Sequence, residues 1–285
     1  PSQLALGPAL LQRVPNPFFG QIPRSSSLGD PTIPLAQLLK PFPRFTTVSL
    51  YRNNVGNTNY NALQTKLEHR FSRGFSFLVS YTRSKLIDEA SSVFDASILT
   101  GPIANFPVAD SFNRRLERDL SNGDMPNVFV ASFTYELPFG FEFAGVITMQ
   151  SGLPLAVTQV TNFNAFAGFG TQRPNRVSDP NLPSSERTTA RFFNTSAFVA
   201  APQFTLGNSS RNPVRGPAYR NADLVLIKRI FFSESMNVEL RAEAFNVTNT
   251  PPLAAPNTVV GAPGFGPITA AGDPRVFQLG AKFNF

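Results

Sequence analysis

The last eleven residues, Arg275–Phe285 (RVFQLGAKFNF), limit the fold more than any other part of the chain. Phe277, Leu279, Ala281, Phe283 and Phe285 point one way, and Val276, Gln278, Gly280, Lys282 and Asn284 the other. Strict period two marks a strand with one apolar and one polar face. Here the apolar face runs to the terminal carboxylate. In water such an end invites edge pairing. In a transmembrane β-barrel the last strand closes the sheet, and its terminal aromatic sits at the membrane interface. The alternation therefore predicts a barrel strand.

Composition agrees with that solvent. The 285 residues include 29 Phe, no Cys and no Trp, and 15% are charged. No apolar run reaches the roughly 18 residues of a membrane-spanning helix. A mean hydropathy of −0.07 suits a barrel, because half of each strand faces water. The lack of cysteine excludes disulfides and thiolate metal sites. His69, the single histidine, lies within an alternating stretch and has no second metal-ligand candidate near it. There is no Ser/His/Asp set and no Gly-rich phosphate loop, so neither an enzyme nor a cofactor is expected. The formal charge of +7 favours anionic partners. The basic residues are dispersed and no nucleic-acid motif occurs, so nucleic acid is not the expected partner. Lipopolysaccharide phosphates or an anionic solute suit the surface instead. No basic, apolar leader follows Pro1, although an exported chain needs one. The expectation is a piece of a longer precursor.

Seven segments have the alternation and length of barrel strands: 60–71, 75–83, 128–137, 141–151, 222–232, 236–247 and 275–285. Phe45–Arg52 is a weaker eighth. Three short connections, Ser72–Gly74, Pro138–Gly140 and Ser233–Ser235, alternate with long ones at 84–127, 152–221 and 248–274. In an up-and-down barrel, alternate connections share a side, and outer-membrane barrels have short periplasmic turns and long extracellular loops. Residues 1–44 read as a Pro-rich loop or extended connection, and residues 45–285 as the barrel segment. The expected fold is thus all-β, an antiparallel up-and-down transmembrane β-barrel segment of about 7–8 strands, located in the bacterial outer membrane.

An ordered set of motifs, NYNALQTKLEHRFSRGFSFLVSYTRSK, FVASFTYELPFG with ITMQSGLPL, RFFNTSAF, GNSSRNPVRGP and AEAFNVTNTP, resembles the C-terminal barrel of Oar-like TonB-dependent outer-membrane transporters. The resemblance covers nearly the whole chain. It implies a barrel of about 22 strands, its lumen closed by an N-terminal plug. It also implies coupling to the TonB complex through that plug region, which is missing here. The terminal strand, through Gln278, Gly280, Phe283 and Phe285, would be the signal read by the barrel-assembly machinery. The implied function is active uptake of a large or scarce solute. A structural or adhesive outer-membrane barrel is the alternative, and a soluble secreted glycan-binding β-protein is a more distant one.

Two groups of residues are candidates for function. Lys66, Glu68, Arg70, Glu142, Asp223, Glu239, Arg241, Glu243 and Lys282 fall on the luminal face, as a permeation path or as a hydrated wall of cross-strand ion pairs. Arg173, Arg176, Arg187, Arg191, Arg211, Arg215 and Arg220 lie in the longest outer loop, opposed by only Asp179 and Glu186. They form either an electropositive ligand-gathering surface or solvated loop charge. Phe163, Phe166 and Phe169 read more simply as a cluster folding that loop than as a stacking platform.

Overall fold

The computed structural model describes residues 2–48, 56–89, 109–110, 112–169, 172–233 and 236–285. Its centre is an antiparallel meander of seven long strands. These are β1 (Thr58–Ser72), β2 (Phe75–Asp88), β3 (Asn127–Leu137), β4 (Phe141–Gln150), β5 (Tyr219–Phe231), β6 (Asn237–Phe245) and β7 (Val276–Asn284). Every strand pairs with its neighbours in sequence, as an up-and-down barrel requires. A short piece, Asp119–Leu120, adds to the upper end of β2. The sheet stays open, since β1 and β7 do not pair with each other.

Register gives every strand the same two faces. Thr65, Tyr81, Phe129, Met149 and Arg220 follow one another across the sheet, as do Lys66, Ser80, Val130, Thr148 and Asn221 one step along. One face is built from Leu63, Leu67, Val79, Phe133, Phe143, Leu224, Leu240 and Leu279. The other carries Gln64, Glu68, Ser132, Thr134, Glu142, Asp223, Glu239 and Gln278. Glu68 of β1 and Glu243 of β6 line one groove of about 660 Å³, so the sheet curls toward its polar face. The polar face is luminal and the apolar face is lipid-facing. Leu279, 84% exposed, and Phe285, 93% exposed, have no protein to cover them, as expected of side chains whose solvent is hydrocarbon.

The short turns follow local chemistry. Ser72 opposes Phe75, and the two residues between them have positive φ (Arg73 53°, Gly74 81°). This is the mirror-image turn whose twist matches a hairpin. At the next turn Pro138 is followed by Phe139 (φ 62°) and Gly140 (φ 74°). Phe139 is 87% exposed, and its ring stands off the same rim as Phe141. Of the third turn, residues 234 and 235 lie outside the described residues, while the amides of Phe232 and Ser233 both donate to the Met236 carbonyl. The proposed eighth strand does not form at 45–48, and its remainder, 49–52, lies outside the described residues.

The opposite end of the sheet bears the long connections, 89–126, 151–218 and 246–275. They hold the water-excluding clusters of the described residues. Val157, Phe192, Phe193, Phe198, Val260 and Ile268 form one, joining the second and third loops. Phe193 meets Phe198 and Phe265 edge-on, with centroids 6.2 and 5.5 Å apart. In the other, Leu4, Leu10 and Ala36 of the N-terminal segment pack with Phe166, Phe169 and Phe204 of the second loop. Residues 2–48 are therefore folded against that loop, with a small Arg13–Pro15/Thr32–Pro34 ladder of their own. Phe166 and Phe169 do fold the loop, by packing on this segment, whereas Phe163 is 41% exposed.

The face assignment predicts a sharp asymmetry between adjacent residues of β7. Leu279→Arg places a guanidinium in mid-bilayer hydrocarbon and should destabilise the sheet by about 2–4 kcal/mol. Gln278→Arg, one residue away on the luminal face, should change stability by less than about 0.5 kcal/mol. Denaturant unfolding from lipid vesicles measures both, and equal costs would refute the assignment.

Candidate permeation face and outer loops

On the luminal face, alternation places a charge at every second residue of β6: Glu239, Arg241 and Glu243. Cross-strand register puts Arg229 of β5 beside Glu239, and Ile227 between Glu142 of β4 and Arg241. The result is a continuous ladder. Arg229 reaches Glu142 at 2.8 Å and Glu239 at 3.1 Å. Arg241 reaches Glu239 at 3.7 Å and Glu243 at 3.5 Å. Lys282 of β7 stands opposite Glu239 in register. At the far edge, Glu68 lies between Lys66 at 2.8 Å and Arg70 at 3.8 Å. Lys66 is level with Ser80, Thr148 and Asn221, and the other charges lie toward the short turns. Beyond that row, nearer the loops, the same face carries Thr82, Ser84 and Gln150, all uncharged. Val128, Val130 and Val146 share this face, so it is polar but not uniformly so. Each exposed pair adds little stability. Asp223 turns upward instead, accepting from the Asn246 amide at 2.8 Å where the third loop begins.

The outer-loop arginines divide into two sets. Arg173, Arg211 and Arg215 are drawn inward. Arg173 donates to Glu117 at 2.6 Å and to the Leu116 carbonyl at 2.8 Å. Arg211, 2% exposed, pairs with Asp88 at the end of β2. Arg215 donates to the Asp124 carboxylate at 2.7 Å and to the Gly152 carbonyl at 2.8 Å. Asn212 joins them, donating to the Leu120 carbonyl at 2.7 Å while its own amide donates to Asp119 at 2.8 Å. Together these contacts fasten the second loop to the first. Close backbone approach completes the joint: a Cβ on Gly152 would lie 1.9 Å from the Gly216 carbonyl oxygen. Arg176, Arg187 and Arg191 remain exposed, whereas Arg220, expected in the loop, lies in β5 opposite Met149 because the ladder extends to Tyr219. Arg187 donates to the Leu182 carbonyl at 2.8 Å and lies over the Phe192 ring at 5.8 Å. Nearby, the backbone and side-chain amides of Asn181 hold the Asp179 carboxylate below its ordinary pKa, with Arg176 adding attraction.

Sequence reasoning did not find the acidic half of this joint. Asp88, Glu117 and Asp124 are all buried, Glu117 to 1% exposure. Nor did it find Gln172. This buried amide donates to the carbonyls of Pro202 (2.9 Å) and Thr205 (2.7 Å) and accepts from the Phe163 amide (2.9 Å). The available signal was the low ratio of acids to arginines in the second loop, which implied that the matching carboxylates lay elsewhere.

Of the terminal-strand residues, Gln278 and Gly280 lie on the luminal face, and Phe283 and Phe285 on the lipid face, their rings stacked at 5.9 Å. Among the described residues no group of His, Cys, Asp and Glu is arranged to hold a metal. His69 stacks on Phe77 at 5.7 Å on the lipid face.

An open meander with a polar concave face, an apolar convex face and one-sided long loops defines a transmembrane β-barrel protein. The family of outer membrane beta barrel domains matches residues 12–278, and this chain belongs to it. The protein is accordingly one of the bacterial outer membrane. No curated protein shows a significant match to the chain.

The loop joint predicts a large single-residue effect. Arg211→Ala leaves Asp88 buried without its counter-charge and should loosen the two loops by about 3–5 kcal/mol. The expected readout is rapid cleavage of the 152–218 region by protease added to intact cells. Arg191→Ala, at an exposed site, should leave cleavage at the wild-type rate.

Proposed function

We propose that the chain is the C-terminal barrel segment of a TonB-dependent outer-membrane transporter that takes up a large or scarce solute without chemically altering it. The observation that supports this best is the open sheet. Both edge strands, β1 and β7, are exposed along almost their whole length. Hydrocarbon does not tolerate unpaired backbone groups, so such a sheet must be completed by further strands. Seven strands bordering a hydrated wall form part of a wide barrel, and wide barrels of about 22 strands hold a plug. The motif order that resembles Oar-like transporters points the same way. In this reading the outer loops capture solute, the luminal charges face the plug, and energy arrives through a periplasmic TonB contact. The terminal strand with Phe283 and Phe285 directs assembly.

One observation favours the second reading, a structural or adhesive barrel. The three best-placed loop arginines are spent on internal ion pairs, and the loops are tied into a fixed cap. A fixed cap suits a display surface better than a moving gate.

The two readings separate in cells that express the protein at its full natural length. A transporter should crosslink to the periplasmic domain of TonB, and it should accumulate its solute only while the proton gradient is intact. If no crosslink forms, and cells lacking the protein lose surface attachment instead, the adhesive reading replaces transport.

A further inference from the structure

The seven strands separate charge by sign as well as by face. Every Asp and Glu in them lies on the luminal face. The formal charges on the lipid face are all basic: Arg83 and Lys85 on β2, and Arg220 and Lys228 on β5. Arg275, just before β7, continues the series.

The heights of these cations are not random. A spanning strand needs about 9–11 residues. Counted from Phe75 at the short-turn end of β2, that distance ends at Arg83–Lys85. Counted from Phe285 it ends at Arg275, and from Phe231 it ends one residue short of Arg220. These four therefore stand at the long-loop interface. Lys228 alone belongs to the opposite rim, where its ammonium lies 4.4 Å from the Phe141 ring centroid.

The four upper cations form no salt bridge among the described residues, although carboxylates are plentiful on the other side of the same strands. A cation at a lipid interface with no protein counter-charge is matched by lipid phosphate. The patch on β1–β2 is the most developed. Arg83 pairs in register with Leu63, and Lys85 with Asn61. The Asn127 side-chain oxygen accepts from Arg83 at 3.1 Å and from the Tyr81 hydroxyl at 2.8 Å, which sets the guanidinium at the rim. Leu63 stands level with it, and Leu67 and Val79 below continue an aliphatic strip into the bilayer.

We propose that this rim binds lipopolysaccharide, with Arg83, Lys85 and Asn61 holding a lipid A phosphate and the aliphatic strip below receiving an acyl chain. Orientation selects the ligand. The long loops lie outside, so the cations meet the outer leaflet, where the phosphorylated lipid is lipopolysaccharide. The inference uses the outer-membrane orientation and is independent of whether the barrel transports a solute.

The test is native mass spectrometry of the protein extracted from outer membranes in mild detergent. Wild-type protein should retain lipopolysaccharide, and R83Q/K85Q should retain about ten- to thirtyfold less. K228Q, which removes the cation of the opposite rim, should retain as much as wild type. Equal retention in the double variant and wild type would overturn the proposal. Should the double variant fail to assemble, the ligand can be varied instead. Wild-type protein is titrated with lipid A, with enzymatically dephosphorylated lipid A and with phosphatidylglycerol. About tenfold tighter binding of intact lipid A is expected. Equal binding of the dephosphorylated form, or of phosphatidylglycerol, would overturn it.

Discussion

Hydrocarbon offers no hydrogen-bond partner, and that single deficit shapes the sheet. Each backbone N–H and C=O in the membrane must find its mate on a neighbouring strand. From this follow the antiparallel ladders, with one register shift between His69 and Ser72, and the pairing of each strand with its sequence neighbour. The strict two-face alternation follows too, because a one-residue slip would carry Glu142 or Glu239 into lipid. A soluble protein of this size would bury an apolar core between layers. Here the apolar face of the sheet has no protein over it, and the water-excluding clusters of the described residues sit in the loops.

Those loops face a different problem. They are rich in Pro, Asn, Ser and Gly, with too little apolar surface to fold by burial alone. Polar groups that fold back on one another make up the shortfall. Asp124 illustrates the economy: one carboxylate oxygen accepts from the Leu86 amide at 2.7 Å and the other from Arg215 at 2.7 Å. Glu117 does the same between the Ala109 amide at 2.9 Å and Arg173 at 2.6 Å. A buried pair stabilises little relative to an apolar substitute, because desolvation consumes most of the attraction. What it does is punish every arrangement that leaves one partner unmatched. The pairs therefore select a single loop packing more than they strengthen it.

This division explains what could be read from the sequence. Strand faces depend on period two, which is local, and the side assigned to Phe77, Phe133, Leu240 and Phe283 needed no knowledge of their neighbours. The short turns were equally local, since Arg73-Gly74 and Phe139-Gly140 occupy the positive-φ positions a tight hairpin needs. Strand ends at the loop side were less legible: β2 continues to Asp88 and β5 begins at Tyr219 because loop contacts extend the ladder beyond the bilayer. The loop joint was not legible at all. Asp88 and Arg211 are 123 residues apart, and no periodicity links an acid at a strand end to an arginine in a distant loop. The motifs that suggested a family were legible as a pattern but not as a mechanism. GNSSRNPVRGP contains Arg211, Asn212 and Arg215, and RFFNTSAF supplies Phe192, Phe193 and Phe198 of the loop core. In this chain their residues build the cap.

The net charge of +7 consequently does not describe one electropositive surface. Besides exposed loop positions such as Arg176 and Arg191, its arginines and lysines occupy three dielectric settings. In the cap they are buried against carboxylates and act as specific fasteners. In the lumen they alternate with glutamates across hydrated strands, where ionic screening keeps each pair weak. At the outer rim they stand beside hydrocarbon with no carboxylate on their own face. Charge left unmatched there is better explained by the membrane than by the fold, because in a chain that pairs its buried cations so consistently, solvent is the remaining source of counter-charge. The excess of positive charge is in that sense a property of the protein together with its bilayer.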